Sequence, residues 1–180
     1  MINIVIDRSG SMAENGKPML ILNLLRYIRQ CLGVDKVQFH VLNNQLSHVF
    51  VDPTLDLELP EITGAMNMDD GIEFLNERKT EPTILLSDGF FELTESQKRV
   101  FKQQNVIVVA VGADADITGL DYLGLPVYLA QDIGVAIKHA STIFSAQRIP
   151  PPLQRCDVQF GKSVLVEVHE QDNGEDDDWG

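Results

Sequence analysis

Two cysteines in 180 residues are too few for a disulfide framework. Cys31 falls in an apolar helical run and Cys156 in the C-terminal segment, without the spacing of a zinc site, so both read as unpaired thiols and Cys31 as a core residue. Basic residues are scarce as well. The 14 Lys and Arg stand against 27 Asp and Glu, a net charge of −13, which disfavours nucleic acid as a partner because phosphate contacts need clustered cations. No apolar run approaches the ~20 residues needed to span a bilayer, and the N-terminus lacks a basic region followed by a cleavable apolar segment. The expected address is therefore the cytoplasm, with no membrane as partner. There is no Gly-x-Gly-x-x-Gly and no Walker loop, and Asn15-Gly16-Lys17 lacks the rest of a phosphate cradle. The four histidines, His40, His48, His139 and His169, are scattered without metal-ligand spacing and read as structural or surface residues.

What the chain does have is an alternation of strand and helix signals, with 44% apolar residues, enough for one sizeable core. That pattern predicts an α/β fold: a doubly wound, mostly parallel central sheet with helices on both faces. After the apolar run Met1 to Ile6, Pro18 starts a helix with a stripe of Leu20, Leu24, Ile28 and Cys31, while Asn23, Arg26 and Gln30 lie on the wet side. Gly33 ends it. Val37 to Leu42 and Leu46 to Val51 flank the short turn Asn43-Asn44-Gln45, which predicts a hairpin and hence one antiparallel strand at a sheet edge.

Pro53 to Pro60 reads as an extended loop, and Asn67 as the cap of a helix whose Met68, Ile72 and Leu75 point inward. Thr94-Glu95-Ser96-Gln97 is a capping box. Strands over Val106 to Val111 and Pro126 to Leu129 follow, then a helix from about Ile133 to Phe144. Gly112-Ala113-Asp114-Ala115-Asp116 lacks the remaining ligands of a calcium loop and reads as a polar strand-to-helix connection. Pro150-Pro151-Pro152 marks a break, so residues 1–145 are read as one domain and 146–180 as an extension. Within that extension Lys162 to His169 alternates like a strand, and the acidic run beyond it reads as a solvated tail.

The stretch with most chemistry is Asp7-Arg8-Ser9-Gly10-Ser11, directly after the first strand. One carboxylate and two hydroxyls at alternate positions offer hard oxygen ligands suited to Mg2+ or Mn2+. Taken alone, an Asp-x-Ser turn also serves simply to hydrogen-bond its own backbone. A second apolar strand, Ile84-Leu85-Leu86, runs out at Asp88-Gly89, and carboxyl ends of neighbouring parallel strands converge on one crevice.

Asp7-x-Ser9-x-Ser11 together with a strand ending in Asp88-Gly89 resembles the von Willebrand factor A family over roughly residues 1 to 145. The resemblance implies a metal-ion-dependent adhesion site, in which Ser9 and Ser11 ligate Mg2+ or Mn2+ directly while Asp7 and Asp88 act through water or orient the hydroxyls. The family's threonine, from a Gly-Gly-Thr loop, aligns with Gly64-Ala65-Met66 and places Met66 at the threonine position. A thioether is a poor donor to Mg2+, so Thr63, the amide oxygen of Asn67, or water would fill the gap.

The implied function is non-enzymatic: docking of a partner protein's Asp or Glu on the cation. Stand-alone intracellular bacterial members work beside MoxR-like AAA+ ATPases or other components of multi-gene systems, and these are the expected partners. Two alternatives stand beside this reading. One is a scaffold with a vestigial metal site. The other is a phosphatase of the haloacid-dehalogenase type with Asp7 as nucleophile, although Ser9 occupies the place of its second aspartate. The acidic tail, being chemically what such a metal site accepts, is a candidate to occupy it in cis.

Overall fold

The computed structural model describes residues 1–49, 58 and 64–146. Six strands form one sheet: β1 (Ile2–Asp7), β2 (Val37–Leu42), β3 (Leu46–Val49), β4 (Thr83–Ser87), β5 (Val106–Ala110) and β6 (Val127–Leu129). Five α-helices accompany them: α1 (Lys17–Leu32), α2 (Met68–Glu77), α3 (Glu95–Gln103), α4 (Ile117–Tyr122) and α5 (Ile133–Ala146). The order across the sheet is β3-β2-β1-β4-β5-β6, parallel throughout except for the edge strand β3, which pairs antiparallel with β2. The expected doubly wound α/β sheet is present. Among the described residues no helix is long and apolar enough to cross a membrane.

Period-two alternation divides the core between the two faces. Ile2, Ile4 and Ile6 of β1 join Phe39, Val41, Ile84, Leu86, Ile107 and Val109 under α1 and α5. Val5, Leu85, Val108 and Ala110 face the other way, under Phe74 and Leu75 of α2, Phe101 of α3 and Leu120 of α4. All six β1 residues are buried, as expected for a central parallel strand covered on both sides. The chain leaves β1 towards β2 on one side and returns to β4 on the other, so the winding reverses between β1 and β4. Sheets of this kind bind ligands at that reversal, outside the carboxyl ends of the strands. Asp7 ends β1, and Asp88 follows the last residue of β4.

Local signals set the element ends. Gly33 stops α1 at φ 78°, the Asn67 side chain accepts from the Asp69 N–H at the start of α2, and both halves of the Thr94–Gln97 capping box form. The hairpin turn closes with the Asn43 side chain accepting from the Gln45 N–H at 3.1 Å. One expectation fails. Cys31 is exposed, because the inward face of α1 is Ile21, Leu24, Leu25 and Ile28, centred to one side of the predicted stripe. Helix α4 appears as an element of its own beyond the loop ending at Asp116, whose side chain caps it. Phe50 and Val51, the loop Pro53 to Pro60 apart from Glu58, Thr63, the Pro150–Pro152 break, Cys156, the Lys162 to His169 segment and the acidic tail lie outside the described residues.

His40 of β2 is 2% exposed, opposite His48 on β3 and tilted against Phe74 with ring centroids 4.6 Å apart. Burial, reinforced by the charges of His48 and Arg78 against that of Glu81, lowers its pKa to about 4. The folded protein therefore keeps His40 neutral at pH values where the unfolded chain protonates it. We expect stability to fall as the pH drops from about 6.5 to about 4, by on the order of 3 kcal/mol from this group. Urea unfolding of His40→Phe across that range should show a flatter profile than the native chain, and an equal slope in both would dismiss His40 as the source.

Candidate metal centre

Asp7 is fully buried at the end of β1. One carboxylate oxygen accepts from the Ser9 N–H at 2.8 Å, closing the turn that carries the serines, and the other accepts from the Ser87 hydroxyl at 2.6 Å. The β1–β4 register, with Ile6 beside Leu86, sets Asp7 next to Ser87. Burial pushes the Asp7 carboxyl above its usual range. The hydrogen bonds from Ser87 and Ser9 oppose that shift, and the neighbouring Asp88 charge adds to it. Past Ser9 the chain makes a short 3-10 turn, Gly10–Ala13, pinned by the fully buried Met12. The Ser9 and Ser11 hydroxyl oxygens lie 3.2 Å apart.

The loop after β4 approaches from the side. Ser87 Oγ accepts from the Gly89 N–H at 3.1 Å, and one Asp88 oxygen accepts from the Phe90 N–H at 3.2 Å. Gly89 sits at φ 87°, where a Cβ would lie 2.9 Å from Leu120 Cγ, so the turn needs a glycine on both steric counts. The loop before α2 meets the serine turn where the Gly10 N–H donates to the Gly64 carbonyl at 2.9 Å. A groove of about 380 Å³ results, lined by Ser9, Gly10, Ser11, the Gly64–Met66 loop, Met68 and the Phe90–Glu92 segment. Neither Asp7 nor Asp88 reaches its surface, both being fully buried.

Of the expected residues, Ser9 and Ser11 line the groove, and Asp7 and Asp88 lie buried. Met66 lines the groove together with the two serines. Asn67 does not serve as a substitute ligand, because its oxygen accepts from the Asp69 N–H at 3.1 Å and its amide donates to Asn44 O and to Asp70. Thr63 lies outside the described residues.

A residue that sequence reasoning passed over completes the arrangement. Lys17, at the first position of α1, is 1% exposed, and its ammonium donates to Asp88 Oδ2 at 2.8 Å, Asp114 Oδ2 at 3.0 Å and the Ser11 carbonyl at 3.2 Å. Its side chain crosses Gly112, which at φ 103° has no Cβ; one placed there would lie 2.6 Å from Lys17 Cε. Burial alone would lower the lysine pKa, yet the hydrogen bonds and charges of Asp88 and Asp114 outweigh it and hold Lys17 above its ordinary value. Asp114, which also accepts from Asn15 at 3.0 Å, is lowered chiefly by its bond to Lys17. The signal was present in the sequence, since Lys17 occupies the helical stripe that continues through Ile21, Leu24 and Ile28.

Chemically, the surface of the crevice offers the two hydroxyls and the Glu92 carboxylate, with Asp7 and Asp88 buried. Adjacent ligands of an octahedral Mg2+ at 2.0–2.1 Å are separated by about 3 Å, close to the Ser9–Ser11 oxygen spacing. Two hydroxyls at that spacing, over a buried acid, suit a hard divalent cation. Among the described residues no group of three or more His, Cys, Asp or Glu side chains is placed to hold a metal ion.

No protein-family model matches the sequence, and no curated protein matches it. Solved structures do. An aerotolerance-related membrane protein from Bacteroides fragilis is similar at a TM-score of 0.57 and 11% identity, over 81% of this chain and 98% of that one. Proximal thread matrix protein 1 of the mussel byssus is similar at 0.51 and 18%, over 81% of this chain and 45% of that one. A von Willebrand factor type A structure from Catenulispora acidiphila is similar at 0.50 and 14%, over 79% and 42%. The chain therefore spans under half the length of the last two, and at these identities the likeness is one of fold.

Ser87→Ala removes the hydroxyl that satisfies a buried Asp7 oxygen and receives the Gly89 N–H. We expect a loss of about 1–3 kcal/mol in stability, measured by denaturant unfolding. A change within error would mean that Asp7 finds another partner.

Proposed function

We propose, from the von Willebrand factor A fold that this chain adopts, that it is a non-enzymatic docking module reading an acidic group of a partner protein through a divalent cation at the Asp7–Ser11 loop. The observation that carries the reading is the pair of serine hydroxyls, 3.2 Å apart, opening into a groove between Met66 and Phe90. Ser9 and Ser11 would hold Mg2+ or Mn2+. Asp7 fixes the turn and would supply negative charge from below, and Asp88 would act from behind, without touching the metal. A bound cation would give the groove a positive point that a carboxylate completes, with charge and geometry providing selectivity. Water or the Thr63 hydroxyl would take the position next to Met66, whose sulfur is too soft to ligate.

The partner in this proposal is a protein presenting Asp or Glu, such as a MoxR-like AAA+ ATPase or another component of a multi-gene bacterial system, met in the cytoplasm. A phosphatase with Asp7 as nucleophile is disfavoured by geometry. The carboxylate has no exposed surface, and both its oxygens are engaged. Met66 in the groove and the Lys17 pairing of Asp88 favour a second reading, in which the protein is a scaffold whose site holds no cation.

Mn2+ titration separates the two. A cation that binds only the native state raises its stability, so Mn2+ should raise the Tm of the native chain. Ser9→Ala with Ser11→Ala should lower Mn2+ affinity by about tenfold or more while circular dichroism stays unchanged. Binding of a glutamate-rich peptide should then require the metal and disappear on chelation. An unchanged Tm at saturating Mn2+ would leave the scaffold.

A further inference from the structure

We infer that Lys17 sets the divalent-cation affinity of the Asp7–Ser11 site by holding the Asp88 carboxylate out of it. The inference rests on the metal-docking reading above. An ammonium has three protons, and Lys17 meets three acceptors: Asp88 Oδ2, Asp114 Oδ2 and the Ser11 carbonyl. Its stem lies in a slot that exists only because Gly112 carries no side chain. The charge is therefore built in, buried and saturated.

Two consequences follow for a cation arriving at the serines. First, Asp88 is committed on both oxygens, one to Lys17 and one to the Phe90 N–H, as Asp7 is to Ser87 and Ser9. Neither acid turns towards the metal without disturbing a hydrogen bond it already makes. The side-chain oxygens that line the groove are then the two neutral hydroxyls and the exposed Glu92 carboxylate. Second, Lys17 is bonded to the carbonyl of Ser11, the same residue whose hydroxyl would ligate, so a fixed positive charge stands one residue's breadth from the cation. Like charges at that range repel appreciably in a partly buried setting. Both effects weaken binding of the metal alone and leave its positive charge for an incoming carboxylate to neutralise.

A purely structural ion pair would contribute to folding and have no effect on metal affinity. The test uses the full chain and Mn2+ alone as probe, with affinity read by calorimetry and the Mn2+-induced rise in Tm as a second readout. Lys17→Met keeps the stem and removes the charge. It should bind Mn2+ about tenfold more tightly than the native chain and show the larger Tm rise, since the metal then supplies the positive charge that Asp88 has lost. Adding Asp88→Asn should return the affinity towards the native value.

Lys17→Met also leaves a buried carboxylate short of its partner, and such losses are strongly destabilising. Lys17→Gln, which retains a donor for Asp88, reads the same effect if the methionine variant does not fold. If the native chain binds Mn2+ and the folded variants bind it equally or more weakly, the role given to Lys17 is wrong and the docking site stands. If the native chain does not bind and Lys17→Met does, the docking reading fails and the role of Lys17 holds. Absence of binding in all of them overturns both.

Discussion

Three loops at the carboxyl ends of β1, β4 and β5 converge on one buried ammonium, and the arrangement of the crevice depends on it. Lys17 is bonded to the Ser11 carbonyl in the first loop, to Asp88 in the second and to Asp114 in the third. A charge taken out of water must be paired, or it costs several kcal/mol. Asp88, fully buried, is therefore as dependent on Lys17 as Lys17 is on Asp88. The Asp7–Ser87 bond performs the neutral counterpart of this task between β1 and β4. With both in place the serine turn has little freedom, so its hydroxyls are presented by a rigid base.

The features legible in the sequence are those set by local chemistry. The hairpin follows from a three-residue polar turn between two apolar runs, the α3 cap from Thr94 and Gln97, and the strand ends from a carboxylate placed after a continuous apolar segment. Asp7, Ser9, Ser11 and Asp88 could be singled out because two strand-end acids in a parallel sheet have one crevice to share. What could not be read this way depends on contacts remote along the chain. The depth at which Asp7 and Asp88 are buried follows from how the loops close over them. Cys31 turns outward because α1 rolls to put Leu25 inside, a choice made by packing against α5 and the sheet. Asn67 was a candidate ligand by composition, yet capping α2 claims its oxygen.

Lys17 shows how the usual assumption about charge misleads. Reading a lysine at a helix start as solvated is sound on average, but its position on the apolar stripe of α1 was visible from spacing alone. An acid-lined crevice at the amino end of that helix gives the stripe a reason to begin with a cation. The groove itself combines unlike surfaces: two hydroxyls, the Met66 thioether, the half-exposed Phe90 ring and the Glu92 carboxylate. A carboxylate seated over the hydroxyls would place the rest of its side chain against Met66 and Phe90, so the walls add apolar contact to a polar contact.

The path of Lys17 across Gly112 ties together two positions far apart in sequence. The lysine reaches Asp88 through the space that a β-carbon at 112 would fill, and the positive φ there already selects glycine. A side chain at 112 would meet both the lysine stem and Asp114 Oδ1, and a shorter residue at 17 would strand the buried Asp88. Residues 17, 88 and 112 are thus constrained jointly, and a change at one is felt at the other two.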